Sequence, residues 1–186
     1  MGSRVAVALV LLLAACAGTP KPQLNDFEAL LAANDSATLS LGQWCGRQHF
    51  ADPPLVSAQP VIGSDRAAPA DAPALLATSA AEPLRYRHVA LSCGGKVLSL
   101  AGNWYVPARL TPAMNAQLES GDTPFGKVAA PLRFRRERLA EQRGAAFGCP
   151  AGTILSHRAR LVLPDGRPLA LVVECYTADN LRPADK

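Results

Sequence analysis

The sequence predicts an α+β domain built on a single antiparallel sheet, and three observations carry that prediction. Apolar residues near the N-terminus recur at helical spacing. Two later stretches each contain strand-like runs folded around a tight-turn signal. One capped helix stands between those stretches. Helices, then a hairpin, a helix and a second hairpin suit one sheet with helical cover rather than alternating βα units.

In chain order, Asp26 to Leu31 and Ser36 to Phe50 read as helices. Leu39, Leu41 and Trp44 are the apolar anchors of the second, and Asp35 or Ser36 is its N-cap. Residues 52–83 are rich in Pro and Ala and read mostly as loop, with a strand near Val56–Val61. Arg85 to Cys93 and Lys96 to Val106 read as strands around Gly94-Gly95, a pair that supplies the positive φ angles of a two-residue turn. Thr111-Pro112 opens a helix carrying Met114, Leu118 and Glu119, and Gly121 stops it. Asp122 to Gly126 forms a compact turn, and the charged stretch Arg133 to Arg143 reads as helical or irregular. Ile154 to Leu163 and Arg167 to Tyr176 flank Pro164-Asp165-Gly166 as a second hairpin. In its last strand both faces are apolar except at Glu174, the pattern of a central strand covered on each side.

The N-terminus carries a different signal. Arg4 precedes the apolar run Val5 to Leu13, and Leu13-Ala14-Ala15-Cys16 follows, in the order of a secretory signal ending at a lipidated cysteine. The run is far shorter than the ~20 residues that span a bilayer as a helix. We therefore expect a signal peptide over residues 1–15, acylation of Cys16, a tether over 16–24 and one domain over 25–186. Ala17 after the cysteine points to the periplasmic face of the outer membrane, with the bilayer as partner. Removing Arg4 lowers the net charge from +4 to +3, and no Lys/Arg block suggests nucleic acid.

With Cys16 acylated, Cys45, Cys93, Cys149 and Cys175 remain. In an oxidising compartment they are candidates for disulfides, with three pairings open. Cys149 with the nearby His157 is the only arrangement resembling a thiol nucleophile, and a disulfide is the commoner fate of such a cysteine. His49, His88 and His157 show no metal-ligand spacing, and neither a nucleophile elbow nor a phosphate loop occurs, so no metal or cofactor is expected.

Ala101-Gly-Asn-Trp-Tyr-Val-Pro107, the helix after it, Thr123-Pro-Phe-Gly126 and the closing hairpin through Glu174 resemble bacterial chorismate pyruvate-lyase. Asp35-Ser36-Ala37-Thr38 is similar to a motif at that family's first long helix. The resemblance covers roughly Arg85 to Asn180 and, more weakly, Leu30 to Phe50. It implies a pocket enclosed by helical flaps over the sheet, cofactor-free release of pyruvate and 4-hydroxybenzoate from chorismate, and Glu174 as the catalytic carboxylate. The residues agree that Glu174 is unusual, since desolvation in an apolar strand favours the protonated form that a general acid needs.

Two positions depart from the pattern. Asn103 stands where the family has an arginine that grips the substrate carboxylate, and asparagine cannot replace that charged fork. Ala37 stands where the family has a pocket-lining methionine. Arg87 or Arg85, Arg109, and Arg158 or Arg160 are the candidates to hold a carboxylate instead. Trp104 and Tyr105 beside position 103 suggest a reshaped pocket. The reading is a domain that binds a small aromatic or anionic metabolite through Asn103, Ala37 and one of these arginines. The lyase reaction is its alternative, because a fold transfers architecture more safely than activity.

Overall fold

The computed structural model describes residues 23–63, 65–79 and 82–183. The expected signal peptide, the lipidation expected at Cys16 and the expected tether as far as residue 22 fall outside these residues. Leu24, placed in the tether by that expectation, is the first residue of the first helix.

Helix α1 (Leu24–Ala32) buries Phe27, Leu30 and Leu31, which its 3.6-residue period puts on one face. In α2 (Ala37–Arg47) Ser36 is the N-cap, its Oγ accepting from the Leu39 amide at 3.3 Å. The buried face of α2 is Ala37, Ser40, Leu41, Trp44 and Cys45. Leu39, expected as an anchor, falls off that face and is 52% exposed.

Six antiparallel strands follow: β1 (Ser57–Pro60), β2 (Arg85–Cys93), β3 (Lys96–Tyr105), β4 (Arg135–Arg143), β5 (Leu155–Val162) and β6 (Pro168–Tyr176). They lie in the order β1-β2-β3-β6-β5-β4, so two three-stranded meanders meet where β3 pairs β6. Short α3 (Ala72–Leu75) forms in the proline-rich segment. Helix α4 (Pro112–Ser120) has Thr111 as its cap, and α5 (Phe125–Val128) turns back over the sheet. Gly94 and Gly95 turn the first hairpin at φ 58° and 75°.

The stretch expected as helical or irregular is corrected: it is the edge strand β4. An edge strand with charged side chains on its exposed positions has no apolar alternation to announce it, and charge there also discourages edge-to-edge pairing.

Both sheet faces are covered at the centre, as the β6 pattern predicts. On one face α1 and α2 close a core of Phe27, Leu41, Trp44, Leu98 and Tyr176. Further along that face α4 and α5 close a second around Tyr105, Phe125, Leu161 and Val172. The opposite face packs Trp104, Leu171 and Val173 against Ala72 and Leu76. Disulfides Cys45–Cys93 and Cys149–Cys175 tie α2 to β2 and the loop before β5 to β6.

Candidate functional site

Strand parity selects the site. On β6, Val172, Glu174 and Tyr176 point to the α2/α5 face, while Leu171, Val173 and Cys175 point away. Glu174 therefore falls between the two apolar clusters of that face, opposite Ala101 of β3. There a cavity of about 30 Å³ is lined by Glu174, Asn103, Ala37, Thr38, Arg136 and Phe134, among others. That volume is about one water molecule's share of liquid.

Arg136 of β4 forks onto Glu174: Nη1 donates to Oε1 at 3.2 Å and Nη2 donates to Oε2. Both side chains are nearly buried, at 6% and 8% exposure. The Tyr176 hydroxyl adds a bond to Oε2 at 3.1 Å. The Arg136 amide donates to Asp35 Oδ1 at 2.9 Å, fastening β4 to the loop that starts α2. Burial pulls the Arg136 pKa down, but the negative charge of Glu174, aided by Tyr176 and Asp35, outweighs it and raises it. Burial, then the neighbouring Glu174 charge, pushes the Tyr176 hydroxyl well above its ordinary value.

Behind this pair, His157 sits edge-on to the Tyr176 ring at 5.2 Å and is 2% exposed. Its Nε2 lies 3.0 Å from Glu141 Oε2, in a geometry that makes no hydrogen bond. Burial lowers its pKa, with Glu174 opposing and Arg136 adding to the shift.

Asn103 is 5% exposed and lines the cavity, yet its amide bonds no other group among the described residues. Ala37 and Thr38, in the first turn of α2, form the facing wall, where the helix dipole is positive. The cavity is thus lined by one guanidinium, the two carboxylates of Asp35 and Glu174, one unengaged amide and a helix N-terminus.

Of the residues singled out from sequence, Glu174, Asn103 and Ala37 come together. The arginines do not join them. Arg87, although the register partner of Asn103, turns to the end of α4 and donates to the carbonyls of Leu118, Gly121 and Thr123 at 3.1–3.2 Å. Arg109 clamps the Leu76, Ala77 and Pro168 carbonyls and Glu82. Arg158 pairs with Asp71, and Arg160 with Glu137, while Arg85 meets Glu119 at the surface. Trp104 does not fill the cavity: it stacks on Tyr86 at 4.8 Å on the opposite face.

The arginine in the site is Arg136, which sequence reasoning missed by misreading β4. A signal for it existed. Phe134 is buried, and two residues on, at strand spacing, comes Arg136. Arg136 also supplies the countercharge that a carboxylate in this apolar strand needs.

The six-stranded antiparallel sheet, its flanking helices and the cavity between them define an α+β domain of the chorismate lyase-like class. No family model matches the chain. It is 39% identical over 177 residues to the uncharacterized protein y4mC of Sinorhizobium fredii (strain NBRC 101917 / NGR234), covering 85% of this chain and 75% of that protein. The chain belongs to the family of y4mC.

Among solved structures it resembles the effector domain of PhnF from Mycobacterium smegmatis, with a TM-score of 0.51 and 14% identity over 67% of this chain and 82% of that domain. It spans 61% of the whole PhnF chain. A ligand-binding domain from Bordetella bronchiseptica, assigned to a GntR-family transcriptional regulator, gives a TM-score of 0.49 and 15% identity over 70% of this chain and 88% of that one. At 14% and 15% identity these likenesses show the fold alone. The resemblance to chorismate pyruvate-lyase is corrected accordingly. The solved structures this chain resembles here are regulator effector and ligand-binding domains, which share the fold class, and membership of the lyase family does not stand.

Proposed function

We propose that this protein is a lipid-anchored envelope protein whose domain binds a small aromatic or carboxylic acid on the α2/α5 face without turning it over. Asn103 carries the reading. Its amide faces the cavity and bonds no other group among the described residues, so its donors and acceptor are available to a polar group of a ligand. The positive N-terminus of α2 on the facing wall favours an acceptor or acidic group as that partner, while Arg136 is engaged by Glu174. The fold shared with the PhnF effector domain supports binding of a small ligand by this domain. Glu174, held in a fork by Arg136 and bonded by Tyr176, has both oxygens engaged, which disfavours a role as proton donor. Entry of anything larger than water requires α2 and α5 to part at Gly126, where a Cβ would already stand 2.8 Å from Ser36 Oγ.

Calorimetric titration of the full chain carrying Cys16→Ser with benzoate and 4-hydroxybenzoate tests the cavity. Binding is expected and should weaken at least tenfold in Asn103→Leu. Equal affinity in that variant, or no binding of either acid by the folded protein, refutes the reading.

The order of Arg4, the apolar run and Leu13-Ala14-Ala15-Cys16 supports the anchor, and Ala17 supports outer-membrane placement. Among the described residues no helix is long and apolar enough to cross a membrane. Labelled palmitate supplied to expressing cells should enter the wild-type protein and not Cys16→Ser; an unlabelled wild-type chain refutes the anchor.

A further inference from the structure

Outside the cavity, across Ser36, Thr38 and Gly126, the surface opens into a groove of about 820 Å³. That lies within the range of roughly 300–1,000 Å³ typical of sites that bury small organic ligands. One wall is apolar to a degree unusual for exposed surface. Leu39 and Leu55, at 52% and 67% exposure, are two of the five exposed large hydrophobic residues described, and both line the groove with Pro54 and Val56. Leu39 does nothing for the core, since α2 buries a different face.

The other wall carries Lys127 and Arg133, neither of which has a carboxylate within ion-pair distance among the described residues. Arg133 holds a left-handed backbone at φ 51°, an uncommon conformation for a residue with a side chain. Asp35 is the acid of the groove, and its Oδ1 already accepts from the Arg136 amide.

We infer that this groove binds a free, monomeric amphiphilic carboxylic acid, its alkyl chain over Leu39, Leu55, Val56 and Pro54 and its carboxylate between Lys127 and Arg133. Two unpaired cations facing an exposed apolar wall match a ligand with one anionic end and one long apolar body. A short acid would leave the leucines wet, and a neutral alkane would leave the cations without a partner. The site adjoins the cavity of the proposed function and does not depend on it.

The test is calorimetric titration of the full chain carrying Cys16→Ser with octanoate, decanoate and dodecanoate below their micellar concentrations. Affinity should tighten about three- to tenfold per two-carbon step, as partial burial of methylenes requires. Leu39→Ser with Leu55→Ser should weaken dodecanoate about tenfold, and Lys127→Gln with Arg133→Gln should reduce its preference over dodecanol. These positions are exposed, so circular dichroism should show all variants folded. Affinity independent of chain length, undiminished binding in the leucine variant, or dodecanol binding as tightly as dodecanoate overturns the inference. So does association with phosphatidylglycerol vesicles in place of the monomeric acid. Benzoate binding that is lost in Asn103→Leu while dodecanoate fails to bind would sink the groove and leave the cavity reading standing. The reverse result would sink the cavity and leave the groove.

Discussion

Replacing Arg136 with methionine strands the Glu174 carboxylate inside the sheet's covered face. Both side chains of the pair are over nine-tenths buried, and Tyr176 supplies one further hydrogen bond. Breaking a buried ion pair from one side typically costs about 3–5 kcal/mol, because the remaining charge has neither water nor a partner. Arg136→Met and Glu174→Met should each lose that amount. The double variant replaces the pair by apolar side chains of similar length, and such exchanges are often neutral or stabilising. It should therefore be more stable than either single variant, with a coupling above about 2 kcal/mol. Urea unfolding followed by far-ultraviolet circular dichroism, with slopes compared to check that the transition stays two-state, reads all four proteins. Single variants that lose less than about 1 kcal/mol, or a double variant whose loss equals the sum of the two, would refute the claim that this pair is a buried, mutually dependent unit.

Three further outcomes follow from other parts of the fold. Burial holds the His157 pKa below its ordinary value, so the folded state resists the proton that the unfolded chain accepts. Stability from this residue is fully present above about pH 6.5 and is lost as pH falls through the depressed folded value, with a slope of up to about 1.4 kcal/mol per unit. Comparing urea midpoints at pH 7.5 and 5.5, His157→Asn should show a smaller drop than wild type; equal drops would place the sensitivity elsewhere. Cys45→Ser with Cys93→Ser opens a link between residues 48 apart, worth about 4 kcal/mol in the chain-entropy account, and should lower the urea midpoint accordingly. A loss under about 1 kcal/mol would show that the link constrains little. Gly94→Ala places a Cβ 2.0 Å from the Phe50 carbonyl oxygen at φ 58° and should cost at least about 2 kcal/mol in thermal or urea unfolding. An unchanged midpoint would contradict the close approach of the β2–β3 turn to the end of α2.

Where one local signal decided an element, the sequence was readable. The Ser36 and Thr111 caps, Gly94-Gly95 and the apolar run around Glu174 all hold, because each depends on neighbours within a few residues. Leu39 was misplaced because helical spacing fixes a periodicity but not which side of the helix meets the sheet. Strand β4 was hidden because its pairing with β5 comes from backbone bonds that side-chain type does not report, and its edge position exempts most of its residues from burial. Without β4 the sequence does not bring Arg136 to the site, and the cations it offers there are Arg87, Arg109 and Arg158. All three serve carbonyls or carboxylates elsewhere.

By itself the amino-acid order determined the fold class, the two hairpins, the covered central strand and the exceptional position of Glu174. These follow from periodicity, turn chemistry and the cost of burying charge, all local properties of the chain. The tertiary structure alone decided the partner of Glu174, the two cysteine pairings, the unengaged amide of Asn103 and the gathering of Leu39 and Leu55 along one open groove. Each of these joins residues from different elements. Strand order and helix docking set their distances, and no spacing along the chain records them.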